Sequence, residues 1–155
     1  MTKAEIKKKA LDLLARREHS RQELREKLLR REFSISEIEE VLEELESENY
    51  LNDSRFAEEW IRSRKKNKPR GKNLIKAELL DKGVEREIVE ARLADNVSRS
   101  EERKMARELA EKWLRKKSSQ DYETREKKYK LTGYLSRKGF SRGITRDLVE
   151  ELIAE

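Results

Sequence analysis

Apolar residues recur along this chain at spacings of three and four, the period of a helix with one buried face, and nowhere in the strict alternation of a strand. Ile6, Ala10, Leu13 and Leu14 share one such face, behind Thr2-Lys3-Ala4-Glu5, where a hydroxyl residue precedes Glu by three as in a capping box. Ser20-Arg21-Gln22-Glu23 is a second box and opens a helix carrying Leu24 and Leu28. Ser34-Ile35-Ser36-Glu37 is a third, followed by Ile38, Val41, Leu42 and Leu45. The pattern restarts at Asn52-Asp53-Ser54, where the amide or the acid would serve as N-cap, ahead of Ala57, Trp60 and Ile61. Pro69 ends that helix, because it lacks an amide donor and restricts the residue before it.

The remaining helices follow in the same rhythm. Leu74, Ile75 and Leu79 lead to a stop at Gly83, and Ile88, Ala91 and Leu93 mark a sixth helix. Ser98-Arg99-Ser100-Glu101 opens a seventh with Ala106, Leu109 and Trp113. Ser118-Ser119-Gln120-Asp121 reads as a loop, Leu131 and Leu135 belong to an eighth helix ending at Gly139, and Ile144, Leu148, Val149 and Leu152 to a ninth. Phe33, Val84 and Phe140 each follow a helix end and precede an isoleucine that starts the next face. The fold expected is all-α: three tandem three-helix repeats, 1–50, 51–96 and 97–155, stacked into an elongated, curved array. The second and third repeats have Lys-Gly before the apolar residue and the first has Arg31-Glu32. Either Glu32 accepts a left-handed conformation costing about 1 kcal/mol, or the first turn differs, which the longer spacing to Ile38 favours.

Composition sharpens this. Ala, Glu, Lys, Leu and Arg supply 95 of 155 residues, and one Pro with five Gly leaves too little turn material for a sandwich or barrel. There is no Cys and a single His, so no disulfide, thiolate metal site or His pair can be written. His19 is placed to bond a helix end rather than to titrate in a mechanism. Phosphate-binding glycine loops and hydrolase or metalloprotease motifs are absent, so no enzyme, catalytic residue or cofactor is expected. No membrane span or signal peptide is legible, which points to a cytoplasmic protein.

Charge is uneven: residues 1–52 carry a net −2, 53–96 a net +3 and 97–155 a net +5, within a total of +6. That asymmetry suits an anionic partner toward the C-terminal side. The densest run is Arg62, Arg64, Lys65, Lys66, Lys68, Arg70 and Lys72, with no acid between its ends. Taken alone it fits a solvated helix end as well as phosphate contact. Its place at a helix end and the Pro69-Arg70-Gly71 break predicts that reversing Arg64, Lys66 and Arg70 leaves the fold nearly intact. Trp60 and Trp113 occupy matching core positions. Tyr122, Tyr129 and Tyr134 interleave with Lys127, Lys128 and Lys130, a pattern open to base stacking.

Four segments resemble the RecX family. Ala10-Leu11 through His19-Ser20-Arg21-Gln22-Glu23-Leu24 and Lys27-Leu28 is similar to its opening, and Tyr50-Leu51-Asn52-Asp53-Ser54-Arg55-Phe56-Ala57 to its central signature. Gly71, Ile75, Glu78-Leu79 and Lys82-Gly83-Val84 resemble the next segment, and Leu135 with Arg137-Lys138-Gly139-Phe140-Ser141 the last. Little between Val97 and Lys130 is matched. The resemblance implies a regulator that binds RecA filaments on DNA, lies in the filament groove, and restrains ATP hydrolysis, strand exchange and the repressor cleavage of the SOS response. It implies roles in homologous recombination and DNA repair. The residues themselves lead us to expect a monomer that binds bare DNA weakly and without sequence preference, since nothing here resembles a base-reading helix. Leu24, Leu28, Phe56 and Ile75 recur in these segments, but their spacing assigns them to the core. Exposed cations are the contact candidates: the run from Arg62 to Lys72, and Lys127, Lys128, Lys130, Arg137 and Lys138. The competing reading is a stand-alone, non-specific DNA-binding protein built from helical repeats.

Overall fold

A computed structural model describes residues 2–154. Among these it contains ten helices and no strand: α1 (Lys3–Arg16), α2 (Arg21–Leu29), α3 (Ile35–Ser47), α4 (Asp53–Asn67), α5 (Lys72–Asp81), α6 (Arg86–Asn96), α7 (Arg99–Arg115), α8 (Lys117–Gln120), α9 (Thr124–Arg137) and α10 (Arg142–Leu152). Nine match the expected helices. The tenth, α8, is one turn across the expected Ser118–Asp121 loop, and it buries Ser119.

The expected caps set the helix starts. Ser20 and Ser98 form complete capping boxes with Glu23 and Glu101, while Thr2 and Ser34 accept only from the N3 amides. Asn52 caps α4 by accepting from the Arg55 amide at 2.9 Å. Its neighbour Asp53 accepts instead from the amide of Arg21 at 2.8 Å, the first residue of α2. An acceptor there fills one of the donors every helix start leaves open.

Helix ends answer the question left at Glu32. Glu32 is left-handed at φ 64°, matching Gly83 at 85° and Gly139 at 93°. In the second and third repeats the next amide closes back five residues, Val84 to Leu79 and Phe140 to Leu135. No such bond forms from Phe33 among the described residues, so the first turn has both the strained residue and a different closure.

The chain divides into two compact units, residues up to 60 with 79–92, and residues 61–78 with 93 onward. In the first unit, α1, α2 and α3 pack on one another around Ile6, Ala10, Leu24, Leu28, Ile38, Val41, Leu42, Leu45 and Leu51, with Phe33 at the edge. Glu39 on α3 is held by Arg21 and by Arg25, the latter at 2.5 Å, and these guanidiniums lower its carboxyl to about 2. In the second unit α7, α9 and α10 pack mutually. Their buried residues include Met105, Ala106, Ala110, Leu131, Leu135, Ile144, Leu148 and Val149.

Two predicted faces are rotated. In α6 the buried positions are Val89 and Leu93, with Val97 just beyond, while Ala91 is exposed and Ile88 half-buried. In α7 Met105, Ala106 and Ala110 are buried, leaving Leu109 and Trp113 half-buried. In both helices more apolar residues are available than one stripe can hold, and the i, i+4 set lies inward. Trp60 is likewise only half-buried, against Phe56 at 5.7 Å and under the Lys82 ammonium.

Candidate functional site

All the candidate cations belong to the second unit, and the fold brings their two stretches together. The link is made of backbone. The Gly71 amide donates to the carbonyl of Lys138 at 2.8 Å, and the Asn73 amide to that of Gly139 at 3.0 Å. The Lys72 amide donates to Glu102, a carboxylate only 5% exposed, at 2.8 Å. The open donors at the start of α5 are thus filled by the third repeat, and the Glu102 charge sits at the positive end of that helix. Gly71 permits the approach, since a methyl there would come under 3.0 Å from the carbonyl group of Gly139 and the nitrogen of Phe140.

Around this junction the basic run sorts into positioned and outward members. Arg64 donates to Glu78 at 2.9 Å and Arg70 pairs with the other oxygen of the same carboxylate. Glu78 is 16% exposed, so this carboxylate shared by two guanidiniums is largely shielded from water. Lys65 binds Glu101 at 2.6 Å and the Asn96 carbonyl at 2.7 Å, tying the end of α4 to the start of α7. That ammonium, with the Ser98 amide, lowers the Glu101 carboxyl to about 2. Arg62, Lys66 and Lys68 are exposed. Reversing Arg64, Lys66 and Arg70 together would therefore not leave the fold nearly intact: two of the three hold Glu78, and acids in their places would face it. The sequence shows a loop there, but not that Glu78, eight positions from Arg70 and fourteen from Arg64, engages it.

In the third repeat Arg137 is exposed, at the end of α9 beside the junction. Lys138 lies over the Tyr134 ring at 5.7 Å and Lys130 over the Tyr122 ring at 4.9 Å. Both tyrosines pack on Trp113 with ring centres 6.5 Å away. They are therefore committed to an internal aromatic cluster capped by lysines. Tyr129 is not, being 80% exposed. Lys127 and Lys128 are half-buried on α9.

The single histidine, in the first unit, is 2% exposed. One ring nitrogen lies 3.0 Å from the Arg17 carbonyl and the other 2.8 Å from the Lys27 ammonium. The carbonyl requires N–H at Nδ1, so Nε2 accepts from Lys27 and the ring is neutral. Burial and the neighbouring cations lower its pKa.

Three family descriptions match the chain in tandem: the first RecX three-helix domain over residues 7–45, the second over 52–93 and the third over 101–149. The chain belongs to the RecX family. It is 37% identical to the regulatory protein RecX of Corynebacterium efficiens, over 99% of this chain and 74% of that one. It is also 37% identical to that of Prosthecochloris aestuarii, over 94% and 91%. The crystal structure of RecX from Lactobacillus salivarius superposes with a TM-score of 0.85 at 27% identity, covering 97% of this chain and 96% of that one. Among the described residues no helix is long and apolar enough to cross a membrane.

Proposed function

We propose that this protein binds RecA–DNA filaments, lying in the filament groove, and restrains ATP hydrolysis, strand exchange and repressor cleavage. The observation that supports the reading is the backbone junction at Gly71 and Lys138, which brings together the ends of two basic stretches far apart in the chain. A partner made of DNA and acidic protein is attracted by such a surface, both in steering and in contact. Arg62, Lys66, Lys68 and Arg137 are the leading contacts, with Lys127, Lys128, Lys130 and Lys138 around them. Arg64, Lys65, Arg70 and Lys72 act mainly by holding the loop that presents them.

The test is RecA ATPase on single-stranded DNA with the parent and with a variant carrying Lys66→Glu, Lys68→Glu and Arg137→Glu. Three reversals shift the charge by six units and cancel the net +6 of the chain. All three side chains are exposed, so each should move stability by no more than about 0.5 kcal/mol. The expected result is a folded variant whose half-inhibiting concentration rises at least tenfold at moderate salt. Inhibition equal to the parent's would refute this surface. Capture of RecA by the parent without DNA separates filament binding from competition for DNA.

A further inference from the structure

We propose that the groove between α9 and α10 binds single-stranded nucleic acid, with one unpaired base stacked on Tyr129 and the strand's phosphates met by Lys128, Arg142 and Arg146. The groove lies within the third repeat and is lined by these four residues together with Thr145, Val149 and Glu150. It goes beyond action on filaments, since nothing in it requires RecA.

Four observations converge there. Tyr129 is 80% exposed, while its neighbours Tyr122 and Tyr134 are spent on Trp113. An aromatic ring so exposed offers a flat apolar face with nothing covering it. Arg142 and Arg146 stand one turn apart on α10, and neither they nor Lys128 has an ion pair among the described residues. Like charges at this spacing repel, and among the described residues Glu150 is the one carboxylate lining the groove. Four other arginines of the same unit are held by carboxylates: Arg64 and Arg70 by Glu78, Arg103 and Arg107 by Glu151. Thr145, finally, is 2% exposed, and its hydroxyl has no hydrogen-bond partner among the described residues. Buried hydroxyls are rarely left so.

The combination selects the ligand class. Cations alone would hold any anion, but a ring beside them adds a term only for a ligand with a free π-face. Bases in a duplex are stacked on both sides and cannot offer one. An acidic peptide would use the cations and leave Tyr129 idle.

The experiment is fluorescence anisotropy of the full chain with a labelled oligothymidylate, a duplex of the same length and polyglutamate as competitor. Tyr129→Ala should weaken oligothymidylate binding about tenfold, within the range for losing one base–aromatic stack, and Tyr129→Phe should restore it. The same change should leave duplex binding within twofold. Arg142→Gln with Arg146→Gln should weaken binding and reduce the slope of log K against log salt by about 1.4, from ~0.7 per phosphate. If Tyr129→Ala binds oligothymidylate like the parent, or polyglutamate displaces it equally from both, the groove is an electrostatic surface and the proposal fails. Thermal melting of each variant checks that the fold is retained; Tyr129 and both arginines are exposed, so it should be.

Discussion

Gly71→Ala is the most direct test of the junction that assembles the basic surface. The added methyl would meet the carbon and oxygen of Gly139 and the nitrogen of Phe140, all under 3.0 Å away. Every one of these is backbone, so no side chain can rotate aside. The loop must withdraw, and it then loses the Gly71 bond to Lys138 at 2.8 Å and the Asn73 bond to Gly139 at 3.0 Å. Each is worth about 1 kcal/mol net, and local overpacking adds 1–3 kcal/mol where withdrawal is incomplete. A loss of about 3 kcal/mol follows, which for a chain of 155 residues lowers Tm by roughly 6–12 °C. Thermal unfolding followed by circular dichroism measures it. Gly143→Ala is the control of opposite sign: it lies inside α10, the new methyl meets nothing nearer than Arg99 at 3.8 Å, and the helix should gain about 0.5–1 kcal/mol. Under the proposed function, the Gly71 variant should also inhibit RecA less, because the ends of its two basic stretches are no longer held together. A Tm within about 1 °C of the parent's would show that this contact does not organise the unit.

Three further outcomes follow from the geometry. Glu78→Gln leaves the Arg64 and Arg70 guanidiniums facing a neutral amide in a site mostly closed to water, and should cost about 2 kcal/mol in urea unfolding; a loss below 0.5 would mean the shared carboxylate is dispensable. The buried neutral His19 has its pKa lowered from 6.5, so the unfolded chain binds the extra proton first as pH falls. Stability should therefore hold above about pH 6.5 and decline below it, and the part of that decline due to His19 should vanish in His19→Gln. Ser20→Ala removes a hydroxyl that accepts from the Glu23 amide at 3.1 Å and donates to the Lys82 carbonyl at 2.7 Å; it should cost 1–2 kcal/mol, against a few tenths for an exposed serine such as Ser47.

Much of the fold was legible because local chemistry dictates it. Hydroxyl residues at Thr2, Ser20, Ser34 and Ser98 start helices wherever they fall, and Leu24, Leu28, Ile38 and Leu45 have no other face to share. The failures have a common cause. Val89 against Ala91, or Met105 against Leu109, is decided by which neighbour lies alongside, which helical periodicity alone does not encode. The same holds at the site. A count of cations finds the run from Arg62 to Lys72, but cannot tell that Glu78 occupies two of them, or that Glu101 occupies Lys65. Nor can it tell Tyr129 from Tyr122 and Tyr134, since only the packing of Trp113 separates them. Two signals were available for the α9–α10 groove: Tyr129 interleaved with Lys127, Lys128 and Lys130, and Arg142 and Arg146 at helical spacing with no acid four residues before either.

The division into two compact units falls within α4, α5 and α6 rather than between repeats. A segment that is one domain by sequence period is thus shared between two compact units. Native-state hydrogen exchange should register this as a step within single helices: amides of α4 before and after residue 60 would exchange with different free energies, each matching residues distant in the chain. The repeats then record how the sequence is composed, while the expected order of opening follows the two compact units.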